Sequence, residues 1–173
     1  VGTDSDACGF TGFIPAPSIT DNCTGVALVQ MFIPGLPELE YVYDAAGDLA
    51  GGLVGEPGID LGSVTLMIIA TDACGNISEE EVTVTVEDQT EPLPICDEIT
   101  QVAVSTDGIA EVFAETFDDG SYDNCCLDGF DVTRMDDGEF GPSVVFDCGD
   151  INETVQVIFR AHDCFGNSNV CMV

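Results

Sequence analysis

Two short motifs occur twice in this chain, in the same order. Asp21-Asn22-Cys23 is followed by Asp72-Ala73-Cys74-Gly75-Asn76, and Asp123-Asn124-Cys125 by Asp163-Cys164-Phe165-Gly166-Asn167. A repeat at this spacing makes each copy a small module, and 173 residues hold two of them. Nine cysteines are enough to staple both copies. In a reducing cytosol they would suggest a metal or redox centre, but no tetrad of Cys-x-x-Cys pairs is present, so disulfides in an oxidising compartment are expected.

The segments between the motifs read as strands. Val82-Thr83-Val84-Thr85-Val86 alternates with the two-residue period of a half-buried strand, residues 154–160 alternate in the same way, and residues 64–69 are apolar enough for a central strand. Residues 99–104, 109–113, 130–134 and 143–146 are shorter candidates, separated by Gly, Pro, Asp and Asn at turn spacing. No segment has helical periodicity. The fold expected is all-β: two tandem immunoglobulin-like β-sandwiches, stapled by disulfides.

Aligning the copies sets the boundaries at residues 1–90 and 91–173. Asn76 matches Asn167, and Thr3-Asp4 matches Thr106-Asp107. On that alignment module 1 lacks its first strand and module 2 the rest of its last. The two losses join into one gap of about 21 residues, equivalent to positions 83–103. Either a longer tandem array or strand donation between neighbouring subunits accounts for it, because a sandwich short of an edge strand exposes unpaired backbone and an apolar groove. Both predict a head-to-tail assembly of the chain with itself. The segment between the modules, Glu87-Asp88-Gln89-Thr90-Glu91-Pro92-Leu93-Pro94, carries two stiffening prolines.

Charge excludes several partners. Thirty-three acidic residues stand against Arg134 and Arg160, giving a net charge of −31. Nucleic acids and anionic lipid carry the same sign, so neither is expected as a partner. No run is long and apolar enough to insert in a membrane. The charge is dispersed, so a folded acidic surface screened by cations or a saline medium is expected rather than an acidic tail.

The order of these motifs resembles the hyalin-repeat (HYR) family of immunoglobulin-like modules. The matching pieces are Pro94-Ile95-Cys96-Asp97-Glu98-Ile99-Thr100 at a module start, Asp-Asn-Cys in the middle, and an alternating strand ending in Asp-Ala-Cys-Gly-Asn or Asp-Cys-Phe-Gly-Asn. A further strand then leads to Val86-Glu87-Asp88-Gln89-Thr90-Glu91-Pro92. The resemblance covers nearly the whole chain. It departs at Asp97, where the family usually has Pro, and at the pair Cys125-Cys126. It implies a large secreted surface protein in which such modules form fibres or adhesin stalks.

Module 2 holds Cys96, Cys125, Cys126, Cys148, Cys164 and Cys171, which allow 15 pairings. The expected set is Cys96–Cys171, one of Cys125 and Cys126 to Cys148, and the other to Cys164. Repeat logic pairs Cys23 with Cys74 in module 1 and leaves Cys8 to a partner in the missing strand or in a neighbouring chain. Module 1 is also longer in the middle, and its extra residues, around 44–60, read as a longer hairpin or an elaborated contact loop.

Calcium takes six to eight oxygen ligands and is the metal expected for so acidic a chain. The candidate groups are Asp4 with Asp6; Asp118, Asp119 and Asp123; Asp136 with Asp137; and Glu87 with Asp88. Solvated acidic loops are the plainer reading of each. Asn22, Asn76 and Asn152 begin N-x-Ser/Thr sequons and are candidate glycosylation sites, although Asn22 and Asn76 also suit turns.

No enzyme is expected. The one histidine, His162, has no nucleophile or zinc partner at motif spacing, and the absence of tryptophan weakens a sugar-stacking site. The function expected is that of a structural repeat in an extracellular, cell-surface fibre or adhesin stalk. The alternative is a module that binds a glycan or protein through loops such as Tyr41-Val42-Tyr43, Phe130 and Phe140.

Overall fold

The computed structural model describes residues 1–4, 7–22, 25–36, 38–135 and 138–173. The chain divides into two compact units, Val1–Asp88 and Gln89–Val173. Among the described residues all the longer elements are β-strands, with two short 3-10 turns and no α-helix, so the fold is all-β. No helix is long and apolar enough to cross a membrane.

Unit 1 contains β1 (Gly9–Pro15), β2 (Val26–Phe32), β3 (Glu40–Tyr43), β4 (Leu49–Asp60), β5 (Gly62–Asp72) and β6 (Ile77–Val86). They form two antiparallel sheets, ordered β1-β4-β3 and β2-β5-β6. Both contribute to one core: Ile14, Val54 and Ile59 from the first, Met31, Leu66, Ile68 and Val86 from the second. β5 and β6 pair without interruption from Gly62↔Val86 to Thr71↔Ile77, as their β-branched residues favour.

The extra length around residues 44–60 resolves as a hairpin. Asp44 Oδ1 accepts from Ala46 N at 2.8 Å and Asp48 N at 3.0 Å, which closes the β3–β4 turn. The glycines of β4 have a packing reason. A Cβ on Gly51 would strike the Ile14 carbonyl and the Phe13 ring, so the two backbones meet only without it.

Unit 2 contains β7 (Ile109–Phe113), β8 (Leu127–Arg134), β9 (Ser143–Asp147), β10 (Val157–Asp163) and β11 (Ser168–Met172). The sheets are β11-β10-β8 and β7-β9. β10 alternates buried and half-buried residues along its whole length and supplies Val157, Phe159 and Ala161 to a core shared with Phe117, Val132, Val144 and Phe146. Phe130 stacks on Phe159 with ring centroids 5.1 Å apart.

Two strand expectations need correction. Residues 99–104 form no strand; Ile99 is 83 % exposed and the segment enters no ladder. Residues 154–156, expected within a strand beginning at 154, lie outside β10, which starts at Val157. Alternation in sequence supplies a face, but a ladder also needs partners, and these two segments lack them among the described residues.

Candidate cation-binding loops

In unit 2 the two repeated motifs meet. Asp163, at the end of β10, is 4 % exposed. Its Oδ1 accepts from the backbone N–H groups of Phe165, Gly166 and Asn167 at 2.9, 2.7 and 2.7 Å, and its Oδ2 from Asn167 Nδ2 at 2.6 Å. Burial opposes its charge, but the Asn167 amide and the three backbone donors outweigh that and hold the carboxyl below its ordinary range. Asp123 Oδ2 accepts from Cys125 N at 2.8 Å and Cys126 N at 2.9 Å. Its Oδ1 is buried and has no hydrogen-bond partner among the described residues. Oxygens of Asp123 and Asp163 lie within 4.8 Å of each other. The Cys126–Cys164 disulfide and the hydrogen bond from Cys164 N to Cys126 O, 3.2 Å, bind the two loops together.

Unit 1 repeats the arrangement in more exposed form. Asp72 Oδ1 accepts from Cys74 N and Asn76 N, both at 2.8 Å, and Oδ2 from Asn76 Nδ2 at 2.6 Å. These bonds, the Asn76 amide first, lower its pKa while the nearby Asp21 charge opposes them. Asp21 Oδ2 accepts from Gly25 N at 2.9 Å. In unit 2 the Asp of the first motif therefore lies beside the Asp of the second, and in unit 1 Asp21 lies near enough for its charge to oppose that of Asp72. The sequence carried this signal, since both aspartates recur, but the candidate groups above were assembled from chain neighbours and left out Asp21, Asp72 and Asp163.

Most of the other candidate ligands are engaged elsewhere. Asp4 Oδ2 accepts from Thr11 N and Oγ1 at 3.0 and 2.7 Å, and Asp6 lies outside the described residues. Asp118 Oδ1 accepts from Ser121 N at 2.8 Å and Asp119 is exposed; with Asp123 they do not form a trio of converging ligand atoms. Asp136 and Asp137 lie outside the described residues. Glu87 is exposed, while Asp88 is buried and its Oδ1 accepts from Thr3 Oγ1 at 2.9 Å.

Cys96 is bonded to Cys171, with Cα atoms 6.4 Å apart. Cys125 is disulfide-bonded, as is Cys8 in unit 1, so Cys8 finds its partner within this chain and not in a missing strand or a neighbouring chain. Cys148 and Cys74 carry free, exposed thiols, which corrects two expected bridges. The Cys148 sulfur lies 3.7 Å from the Gly108 carbonyl, across from β7 rather than beside the Cys125-Cys126 loop. For Cys74 the reason is register. The bridged Cys164 aligns with Ala73 and Cys126 with Thr24, so Cys74 aligns with Phe165, which points outward. Cys23 itself lies outside the described residues.

Of the sequon asparagines, Asn76 has its amide tied to Asp72, whereas Asn152 is exposed on a turn with φ 66°. Asn22 is exposed, and the Cys23 and Thr24 of its sequon lie outside the described residues. His162 lies 3.7 Å from both Asp128 and Asp131. Both arginines are spent on structure. Arg134 forks onto Asp150 at 3.0 and 2.9 Å and lies over Phe146; Arg160 meets Asp131 at 2.6 Å and lies over Phe140, 4.0 Å from the ring centroid.

No protein-family model matches the chain, and a search of curated proteins finds no significant match.

Proposed function

We propose that the chain is a structural repeat of an extracellular fibre or adhesin stalk, made of two immunoglobulin-like β-sandwich modules of the hyalin-repeat kind. The observation that carries this reading is the repeated turn: in each all-β unit the Asp of the second motif accepts from the backbone and amide of the Asn four residues on. One architecture made twice, with the chemistry at matching places, is what a modular rod requires. Disulfides in unit 2 and the acidic surface support an oxidising, saline setting.

Calcium belongs to the same reading. The buried, unpartnered Asp123 Oδ1 beside Asp163 fits a hard cation. Two carboxylates do not fill its coordination shell, and Asp163 already accepts four hydrogen bonds, so binding would be weak, with water completing the shell.

The binding-module alternative has less support. Phe130 packs on Phe159, Phe140 lies beneath Arg160, and Tyr41 Oη is hydrogen-bonded to the Met31 backbone, which leaves Tyr43 as the exposed aromatic of that set. Immunogold labelling of intact cells with antibody against this chain tests the proposal. Label along filaments or surface material is expected, and label confined to the cell interior would overturn it.

A further inference from the structure

Of the three N-x-Ser/Thr sequons, two fall inside the repeated motifs and one does not. Asn22 belongs to Asp-Asn-Cys and Asn76 to Asp-Ala-Cys-Gly-Asn, while Asn152-Glu153-Thr154 lies outside both. The second copy shows what the motif asparagines are for. Asn124 matches Asn22 but is followed two residues on by Cys126, and Asn167 matches Asn76 but is followed by Asn169. Both asparagines return without their sequons. Asn167 nonetheless keeps the bond that Asn76 makes: its Nδ2 donates to Asp163 Oδ2 at 2.6 Å, as that of Asn76 does to Asp72 Oδ2 at 2.6 Å. The turn therefore accounts for an Asn at that place, and the nitrogen that would carry a sugar is already committed.

Asn152 differs on both counts. It lies in the connection from β9 to β10, which is shaped by its own bonds. Asp147 Oδ1 accepts from Gly149 N at 2.6 Å and Asp150 Oδ2 from Asp147 N at 3.0 Å, while Arg134 holds the Asp150 carboxylate at 3.0 and 2.9 Å. Glu153 N then donates to Asp150 O at 3.0 Å and closes a turn with Ile151 and Asn152 at its tip. Ile151 at φ −65° and ψ 124° and Asn152 at φ 66° make it a type II turn, whose third position takes Gly or Asn. Either residue satisfies the turn, so the turn does not call for Thr154. Asn152, Glu153 and Thr154 are all exposed, and the Asn152 amide makes no hydrogen bond among the described residues.

We propose that Asn152 carries an N-linked glycan and that Asn76 carries none. Asn152 Nδ2 forms a bond to the anomeric carbon of a sugar donor activated as a pyrophosphate ester. The bond from that carbon to the phosphate oxygen breaks, and the pyrophosphate leaves with the electron pair. One amide proton passes to a base of the glycosyltransferase, which the Thr154 hydroxyl engages as the other half of the sequon. Because the amide is free of the fold, attachment disturbs no hydrogen bond of the turn. The inference goes beyond the fibre reading and does not depend on it.

Native material, denatured, reduced and cut with trypsin, tests it. Within this sequence cleavage falls only after Arg134 and Arg160, so Asn152 lies in peptide 135–160 and both other sequons in the peptide ending at Arg134. Peptide 135–160 is expected at its sequence mass plus sugar, with electron-transfer fragmentation placing the sugar on Asn152 rather than on Ser143 or Thr154. A single sugar would name a nucleotide-linked donor, and a preassembled oligosaccharide a lipid-linked one; both keep the proposal. In the same host, T154A should return the peptide to its sequence mass. N152G, which suits the positive φ, should do the same. Sugar retained in either variant would overturn the proposal. Peptide 135–160 wholly at its sequence mass, or sugar only on the peptide ending at Arg134, would overturn it and leave the fibre standing. Sugar on Asn152 in a lone intracellular monomer would keep the proposal and overturn the fibre.

Discussion

Asp163 is a buried carboxylate that ends a strand and organises the turn after it. Three backbone donors and one amide converge on it, so D163A would leave buried N–H groups without acceptors. We expect unit 2 to lose about 3 kcal/mol in urea unfolding. The D72A counterpart in unit 1 should cost less, because Asp72 sits in a more exposed turn. The same carboxylates set the acid limit. Arg134, with the Asp147 backbone N–H, lowers Asp150 from its ordinary 3.8 to about 2. A depressed folded-state pKa contributes stability above the unfolded value and loses it as pH falls through the folded one. The unit 2 melting temperature should therefore be flat above about pH 4 and fall steeply from pH 4 to pH 2. A D150N variant should show a shallower fall. At this scale the sequence was only partly legible. It showed the aspartates of both motifs but not that they lie beside each other in unit 2, since that depends on which loops the sheet brings side by side. A one-residue offset between Cys74 and the bridged Cys164 position was visible in the alignment, and it decides the fate of the Cys74 thiol.

Strands are where the sequence spoke most clearly. Residues 109–113 are β7 itself, and the alternating run at 82–86, the apolar run at 64–69 and the shorter candidates at 130–134 and 143–146 all fall in strands. Period two with β-branched residues is a local signal and survives without knowledge of neighbours. β4 escaped because its glycines lower strand propensity, while their value lies in a close approach to β1 that only the fold reveals. Residues 99–104 misled for the opposite reason: the pattern is right and no ladder partner is found among the described residues. Cross-links hold these short elements. Cys96–Cys171 spans 75 residues, and by loop entropy its removal in a C96A/C171A variant should cost unit 2 about 4 kcal/mol, read as a lower denaturant midpoint. The exposed C148A change should leave the midpoint unmoved.

For the whole molecule, a net charge of −31 makes the medium part of the structure. With a dissociation constant on the order of 1 mM, 10 mM calcium would stabilise unit 2 by about 1.4 kcal/mol. The rise in melting temperature should exceed that from sodium at equal ionic strength, and D123N should abolish the difference. An equal rise with sodium would mean screening alone. The central claim is that this chain is a unit of something larger and extracellular. The most direct measurement is the native mass of the cell-surface material that carries it, taken before and after denaturation with and without reductant. The account predicts a native mass many times 18.1 kDa. Persistence of that mass through denaturation and reduction would assign it to one tandem polypeptide, and a fall to the single chain would assign it to strand pairing or disulfides between copies. A native species of 18.1 kDa, inside the cell and with all thiols reduced, would contradict the account.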